Sequence, residues 1–121
     1  GALEAAIPRL MELVDAGHSK TRRGAVRILA ELGRADIDIG PAVAELRKRL
    51  TDSDKIVRRD ACYALGILRA EDALDDIRAH EDEYDLEFAA VAASAIERIE
   101  DGESDPPIGD LEPGEIFVAR N

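Results

Sequence analysis

The chain carries an internal repeat. Residues Thr21 to Leu32 lie over Val57 to Leu68 at an offset of 36 residues. Arg22-Arg23 falls on Arg58-Arg59, Ala25 on Ala61, Leu29 on Leu65 and Leu32 on Leu68. The same offset sets Ile7, Leu10 and Val14 over Val43, Leu46 and Leu50. A period of this size describes one supersecondary unit that cannot bury its apolar face alone, so copies must stack. The chain is therefore expected to be a solenoid. Such a shape points to a surface that holds something rather than to an enclosed reaction chamber.

The composition fits closely stacked helices. The 121 residues suffice for one domain with a real core. Hydrophobic residues make up 45%, yet only 3% of the chain is aromatic, so the core must be built from Ala, Leu, Ile and Val. The net charge is −11, and among the basic residues only Lys20, Lys48 and Lys55 are lysine. Many carboxylates with Arg in place of Lys fit an acidic, well-hydrated surface of the halophilic kind, where salt screens self-repulsion. An ordinary acidic protein is the alternative. The charge argues against nucleic acid as the main partner, because phosphate binding needs a basic face. The single cysteine, Cys62, excludes an internal disulfide and implies a reducing, cytoplasmic setting. No run approaches the length of a membrane span, and no basic-then-apolar leader pattern opens the chain. A fragment of a longer protein would read the same way.

Periodicity predicts six helices. The first, about 3–14, places Ile7, Leu10, Met11 and Val14 on one stripe, with a bend or a true start near Pro8. The second is expected to be capped by Ser19, to run to Leu32 and to stop at Gly33. Gly40-Pro41 leads into the third, which carries Val43, Leu46 and Leu50. Thr51-Asp52-Ser53-Asp54 supplies caps for the fourth, about 55–68, which buries Val57, Ala61, Ala64, Leu65 and Leu68. Leu74 and Ile77 mark a brief fifth, His80 to Asp85 a turn, and 86–100 an alanine-rich sixth. In this last unit the first helix matches at an offset of 31. The second, with Leu86 and Ala90 over Val57 and Ala61, matches at 29, which implies a connecting loop two residues shorter. Beyond Asp101, Pro106, Pro107, Pro113 and several glycines forbid helix. The irregular tail 102–121 ends in the strand-prone Ile116-Phe117-Val118; disorder and docking are the two readings, and docking is favoured because it covers those apolar residues.

Leu50 to Leu68 resembles a HEAT repeat, closest to the short HEAT-like type named after phycobilisome lyases. The shared features are a Leu-rich first helix, an Asp-containing turn, Val-Arg, Ala, and then Ala-Leu-Gly-x-Leu. The first unit keeps Arg22, Ala25, Leu29, Leu32 and Gly33, whereas the third keeps only spacing. The resemblance covers about residues 3–100. It implies an all-α, right-handed α-α superhelix of three helical hairpins (units about 3–33, 41–69 and 72–100) followed by the tail. It also implies that the turn Asp and the Arg after Val link neighbouring repeats, which assigns such roles to Asp52, Asp54, Arg22 and Arg58. Members of this family bind proteins, assist cofactor attachment or serve as modules of assemblies, so lyase activity would be analogy only.

No catalytic set is legible, and neither a cofactor nor a metal is expected. His18 and His80 sit in separate turns without Cys or His companions. Cys62 follows Ala61 on a core helix and reads as a packing residue. Asp52-Ser53-Asp54 and Glu81-Asp82-Glu83 lack the spaced oxygens and glycine of a calcium loop. The arginines are more informative. The second helices of such repeats line the concave wall, so Arg23, Arg27, Arg59, Tyr63 and Phe88 are expected to form a basic-to-aromatic strip there. Guanidinium forks and an aromatic face suit an acidic or extended partner segment. The competing expectation is that these arginines pair with local acids such as Asp60 and Glu31, or pack along their stems. The function expected is a non-catalytic protein-binding scaffold of unnamed partner, with possible self-association through the tail. A cofactor- or pigment-handling lyase-like accessory subunit and a helical-repeat nucleic-acid binder are the alternatives.

Overall fold

The computed structural model describes residues 1–101, and the tail expected to dock lies outside them. The described residues are helical and contain no strand. In chain order the helices are α1 (Ala2–Ala5), α2 (Ile7–Leu13), α3 (Ser19–Arg34), α4 (Val43–Arg49), α5 (Lys55–Ile67), α6 (Leu74–His80) and α7 (Leu86–Asp101). Short 3-10 turns, Gly40–Ala42 and Glu71–Ala73, lead into α4 and α6. The expected first helix breaks at Ala6. Pro8 stands in the first turn of α2, where its missing N–H removes no helical bond.

Helix ends are set by local chemistry. Asp54 caps α5, its Oδ1 accepting the N–H groups of Ile56 at 2.8 Å and Val57 at 3.2 Å. At the matching position of α3 the cap is His18 rather than Ser19, with Nδ1 accepting the Lys20 N–H at 3.1 Å. The imidazole presents a lone pair where Asp54 presents a carboxylate oxygen. Gly33 does not end α3. The helix runs to Arg34 and turns at Asp36, whose φ is 64°. Helix α5 turns in the same way at Arg69, φ 52°. Both stops close with matching bonds, Ile37 N–H to Leu32 O at 3.0 Å and Ala70 N–H to Leu65 O at 3.1 Å.

Helix α2 packs on α3, α4 on α5 and α6 on α7, while α5 lies between α3 and α7. One continuous apolar cluster runs through all of them, from Ile7, Leu10 and Val14 to Phe88, Ala92 and Ile99. Residues paired at offset 36 are buried together: Ala25 with Ala61, Val26 with Cys62, Leu29 with Leu65, Ala30 with Gly66. Ile39, a loop residue with no periodic signal, is fully buried and touches the Gly33 position.

Burial corrects the register of the last unit. Leu86 is 88% exposed and Ala90 is exposed, although the offset of 29 sets them on buried Val57 and Ala61. Phe88, Ala92, Ala95 and Ile99 are buried instead, 31 residues after Val57, Ala61, Ala64 and Leu68. Leu74 and Ile77 follow Val43 and Leu46 by the same 31, so both helices of this unit share one offset and the loop between them is not shortened. A hydrophobic residue in the first turn misled the alignment. What anchors this helix is the large Phe88 two residues later.

Small residues bring α5 and α7 together. A Cβ on Gly66 would lie 2.8 Å from both Cα and Cβ of Ala95. Gly24, in contrast, has open space around it on the exposed face of α3. Gly66→Ala is expected to cost about 1–3 kcal/mol through forced separation of the helices. Gly24→Ala should gain about 0.5–1 kcal/mol by restricting the unfolded chain. Urea denaturation of both variants checks the opposite signs.

Candidate interaction surface

The arginine pairs recur on α3 and α5, and their side chains reach toward the unit that follows. Arg22 is buried. Its Nε and Nη2 donate to Asp52 Oδ2 and Oδ1 at 2.8 and 2.9 Å, a two-pronged bond from α3 to the turn before α5. Its Nη1 also donates to the carbonyls of Ala16 and Gly17 at 2.9 and 3.0 Å, closing the turn of its own unit. Asp52 further accepts from Arg49 at 2.9 Å and from the Asp54 N–H at 2.9 Å. Burial pushes the Asp52 carboxyl upward. The hydrogen bond from Arg22, that from the Asp54 amide and the charges of Arg22 and Arg49 outweigh it, so Asp52 is held below the usual carboxylate range.

Arg58, the repeat mate of Arg22, donates to the Asp52 carbonyl at 2.8 Å, across the same separation of six residues as Arg22 to Ala16. Among the described residues no carboxylate pairs with it at the next junction. Its guanidinium lies over the Tyr84 ring, 4.1 Å from the centroid, and Tyr84 in turn meets Phe88 edge-on at 5.2 Å. A cation–π contact thus stands where the first junction has an ion pair.

The expected binding arginines are engaged in a second, more exposed row. Arg23 donates to Asp54 Oδ2 through Nε at 2.8 Å and Nη2 at 2.5 Å. Asp54 therefore serves as helix cap and as cross-unit partner. The hydrogen bond from Arg23 leads, and the amides of Val57 and Ile56 add to it against desolvation, drawing the Asp54 pKa down to about 2. Arg59 meets Glu87 at 3.1 Å and Asp60 at 3.4 Å. Arg27 is 67% exposed and stands 3.9 Å from Asp60. Pairing with Asp60 was the competing expectation for these side chains. Tyr63 is half-buried and lines two clefts beside α7. Phe88 does not belong to this surface. It is 1% exposed, because in the corrected register it takes the core position of Val57. Ala89-Ala90 hold the arginine-pair positions in the last unit, so the row ends there.

A basic cleft of about 340 Å³ remains open along α3, between Lys20, Arg23, Gly24, Arg27 and Ile56. Ile28 on the same helix is half exposed. Sequence reasoning missed Lys20 and Ile56, which sit one turn from Arg23 and across from it. It also missed Tyr84 behind Arg58, because Glu83, the counterpart of Asp52 at the offset of 31, offered an acid there and instead meets His80. Cys62 is fully buried, and burial pushes its thiol up to about 12, so it is no nucleophile at neutral pH. Among the described residues no group of three His, Cys, Asp or Glu side chains could hold a metal ion, and no helix is long and apolar enough to cross a membrane.

Asp52→Asn should destabilise the fold by about 3–5 kcal/mol, because it leaves the buried Arg22 charge uncompensated. Arg9→Ala, which breaks the exposed Arg9–Glu12 pair, should change stability by under about 0.5 kcal/mol. Chemical denaturation separates the two. The Asp54 pKa is depressed on folding, so its contribution is complete above the unfolded value near 4 and is lost as pH falls toward 2. Asp54→Asn keeps a capping side chain and should flatten the acid limb of a stability–pH curve between about pH 4 and 2.

No curated protein matches the chain. Comparison with protein families matches residues 4–97 to HEAT repeats, a span that holds all of the shared core but Ile99. The chain belongs to the HEAT-repeat family.

Proposed function

We propose that this protein is a non-catalytic interaction module that takes an acidic, extended segment of a partner protein. HEAT repeats commonly serve as protein-interaction scaffolds. In this reading the units 3–33, 41–69 and 72–100 are three helical hairpins of the short, lyase-like variety, wound as a right-handed superhelix with α3, α5 and α7 on the concave side. The carrying observation is the basic cleft of α3 in a chain of net charge −11. Lys20 and Arg27 supply charge at its rim, Arg23 and Arg59 present the outer edges of paired guanidinium groups, and Ile56, Ile28 and Tyr63 offer apolar contact. A carboxylate-bearing strand would add acceptors to arginines already oriented by Asp54 and Glu87, at small ordering cost. The buried Cys62 thiol suits a reducing compartment, and the acidic surface suits high salt.

The rival readings fit less well. A tetrapyrrole-holding subunit needs a large apolar pocket, whereas the apolar cleft between α5 and α7 holds only about 200 Å³. A nucleic-acid binder needs a continuous basic stripe, and Ala89-Ala90 interrupt it.

Fluorescence anisotropy with a labelled extended peptide of alternating Glu and Leu tests the proposal. Binding should weaken at least tenfold in a Lys20→Glu, Arg27→Glu double variant, with the thermal melt unchanged because both side chains are exposed. A Lys-for-Glu peptide should not bind. Equal affinity of wild type and variant would overturn the assignment, as would preference for a single-stranded oligonucleotide.

A further inference from the structure

A second basic site lies at the opposite ends of the helices. Helix α3 has 16 residues and α5 has 13, although their starts match at offset 36. The extra turn of α3 carries Gly33 and Arg34 beyond the repeat. Together with Asp36, Tyr63, Ile67, Arg69 and Arg98 it encloses a largely polar cleft of about 310 Å³. Three arginines border this cleft. Arg34 reaches its own Glu31 only at 3.5 Å, with both side chains more than half exposed. The Nε of Arg69 is buried without a hydrogen-bond partner. Tyr63 and Arg98 also border the apolar cleft, whose walls are Gly66, Ala90, Val91, Ser94 and Ala95. Charged and apolar clefts therefore adjoin, one at the end of α7 and one along it.

We propose that this composite groove is the seat of the chain's own acidic segment, with Glu103 and Asp105 answering the arginines and Ile108 and Leu111 filling the apolar part. The segment's residues lie outside the described ones. Three observations choose this occupant. Residues 102–121 carry Glu103, Asp105, Asp110, Glu112 and Glu115 against a single base, Arg120, which complements an arginine-bordered cleft. The segment follows Asp101, one turn beyond Arg98, so the chain enters it close to the charged part. Seven further residues, roughly 23–25 Å when extended, separate Asp101 from Ile108, enough to turn back along a 16-residue helix of roughly 24 Å. Tethering gives an effective concentration on the order of millimolar, so a free acidic peptide of similar affinity would lose the competition. This site is separate from the α3 cleft and does not rest on the function proposed for it.

Paramagnetic labelling of the full chain tests the proposal. Cys62 is buried and unreactive, so a Gly109→Cys variant takes one nitroxide selectively. Amide signals of Ala90 to Arg98 and of Tyr63 should lose at least twofold more intensity than those of His18 to Lys20, independently of protein concentration. Glu103→Lys with Asp105→Lys, changes that leave the described helices untouched, should abolish the difference, as should Arg34→Glu with Arg69→Gln. Absence of preferential broadening overturns the proposal. So does broadening confined to mixtures of labelled and isotope-enriched chains, which would make a second copy the occupant. Persistence of the effect in the tail variant would remove the charged half of the argument and overturn it likewise. Loss of peptide binding in the α3 variant with no broadening here would sink this inference alone.

Discussion

A carboxylate withdrawn from water at Asp52 is the constraint on which the stacking depends. Burying that group is unfavourable unless charge and hydrogen bonds surround it. Arg22 comes from the preceding unit, Arg49 from the helix before the turn, and the Asp54 amide from the turn itself. Apolar burial holds the helices together but is indifferent to small sliding. A two-pronged guanidinium–carboxylate bond tolerates far less displacement, so it sets the register of α3 against α5. Asp54 adds a second link next to it, and the same carboxylate fixes where α5 begins.

The second junction solves the problem with different chemistry. Arg58 keeps the inward bond to its own turn but faces Tyr84, which rests on Phe88. Phe88 is thereby drawn into the core and away from the surface. The last unit dispenses with the arginine pair, placing Ala89-Ala90 there, so the row of charge links ends with α7. The apolar cleft of α5 and α7 opens beside Ala90, the counterpart of Arg59, with Arg98 at its border.

Much of this was legible in the residues. The 36-residue repeat and the core positions of the first two units follow from pattern, and the resemblance singles out Arg22 and Asp52, which meet at 2.8 Å. The illegible parts have physical reasons. Gly33 looks like a stop signal, but its hydrogen serves contact with Ile39 and Ile67, and the turn is made by Asp36. Leu86 looks like a core anchor, but it stands in a first turn that faces solvent. His18 as a cap depends on which ring nitrogen keeps its lone pair, which no sequence pattern states. The arginine strip was visible as charge, but pairing between units is a property of the stack. What survives of that strip as an open surface is the part with the weakest partner, Arg27.

The unequal lengths of α3 and α5 carry a further meaning. Perfectly repeated units would make a uniform ramp, on which a bound strand could slip by one period at little cost. One surplus helical turn breaks that translational degeneracy. It builds a step at a single place, walled by Arg34 on one side and Arg69 on the other. Discrimination among ligands would therefore reside in the imperfection of the array, and evolution could retune it at the outer end of that overhang, at Arg34, while Gly33 keeps its contact with buried Ile39.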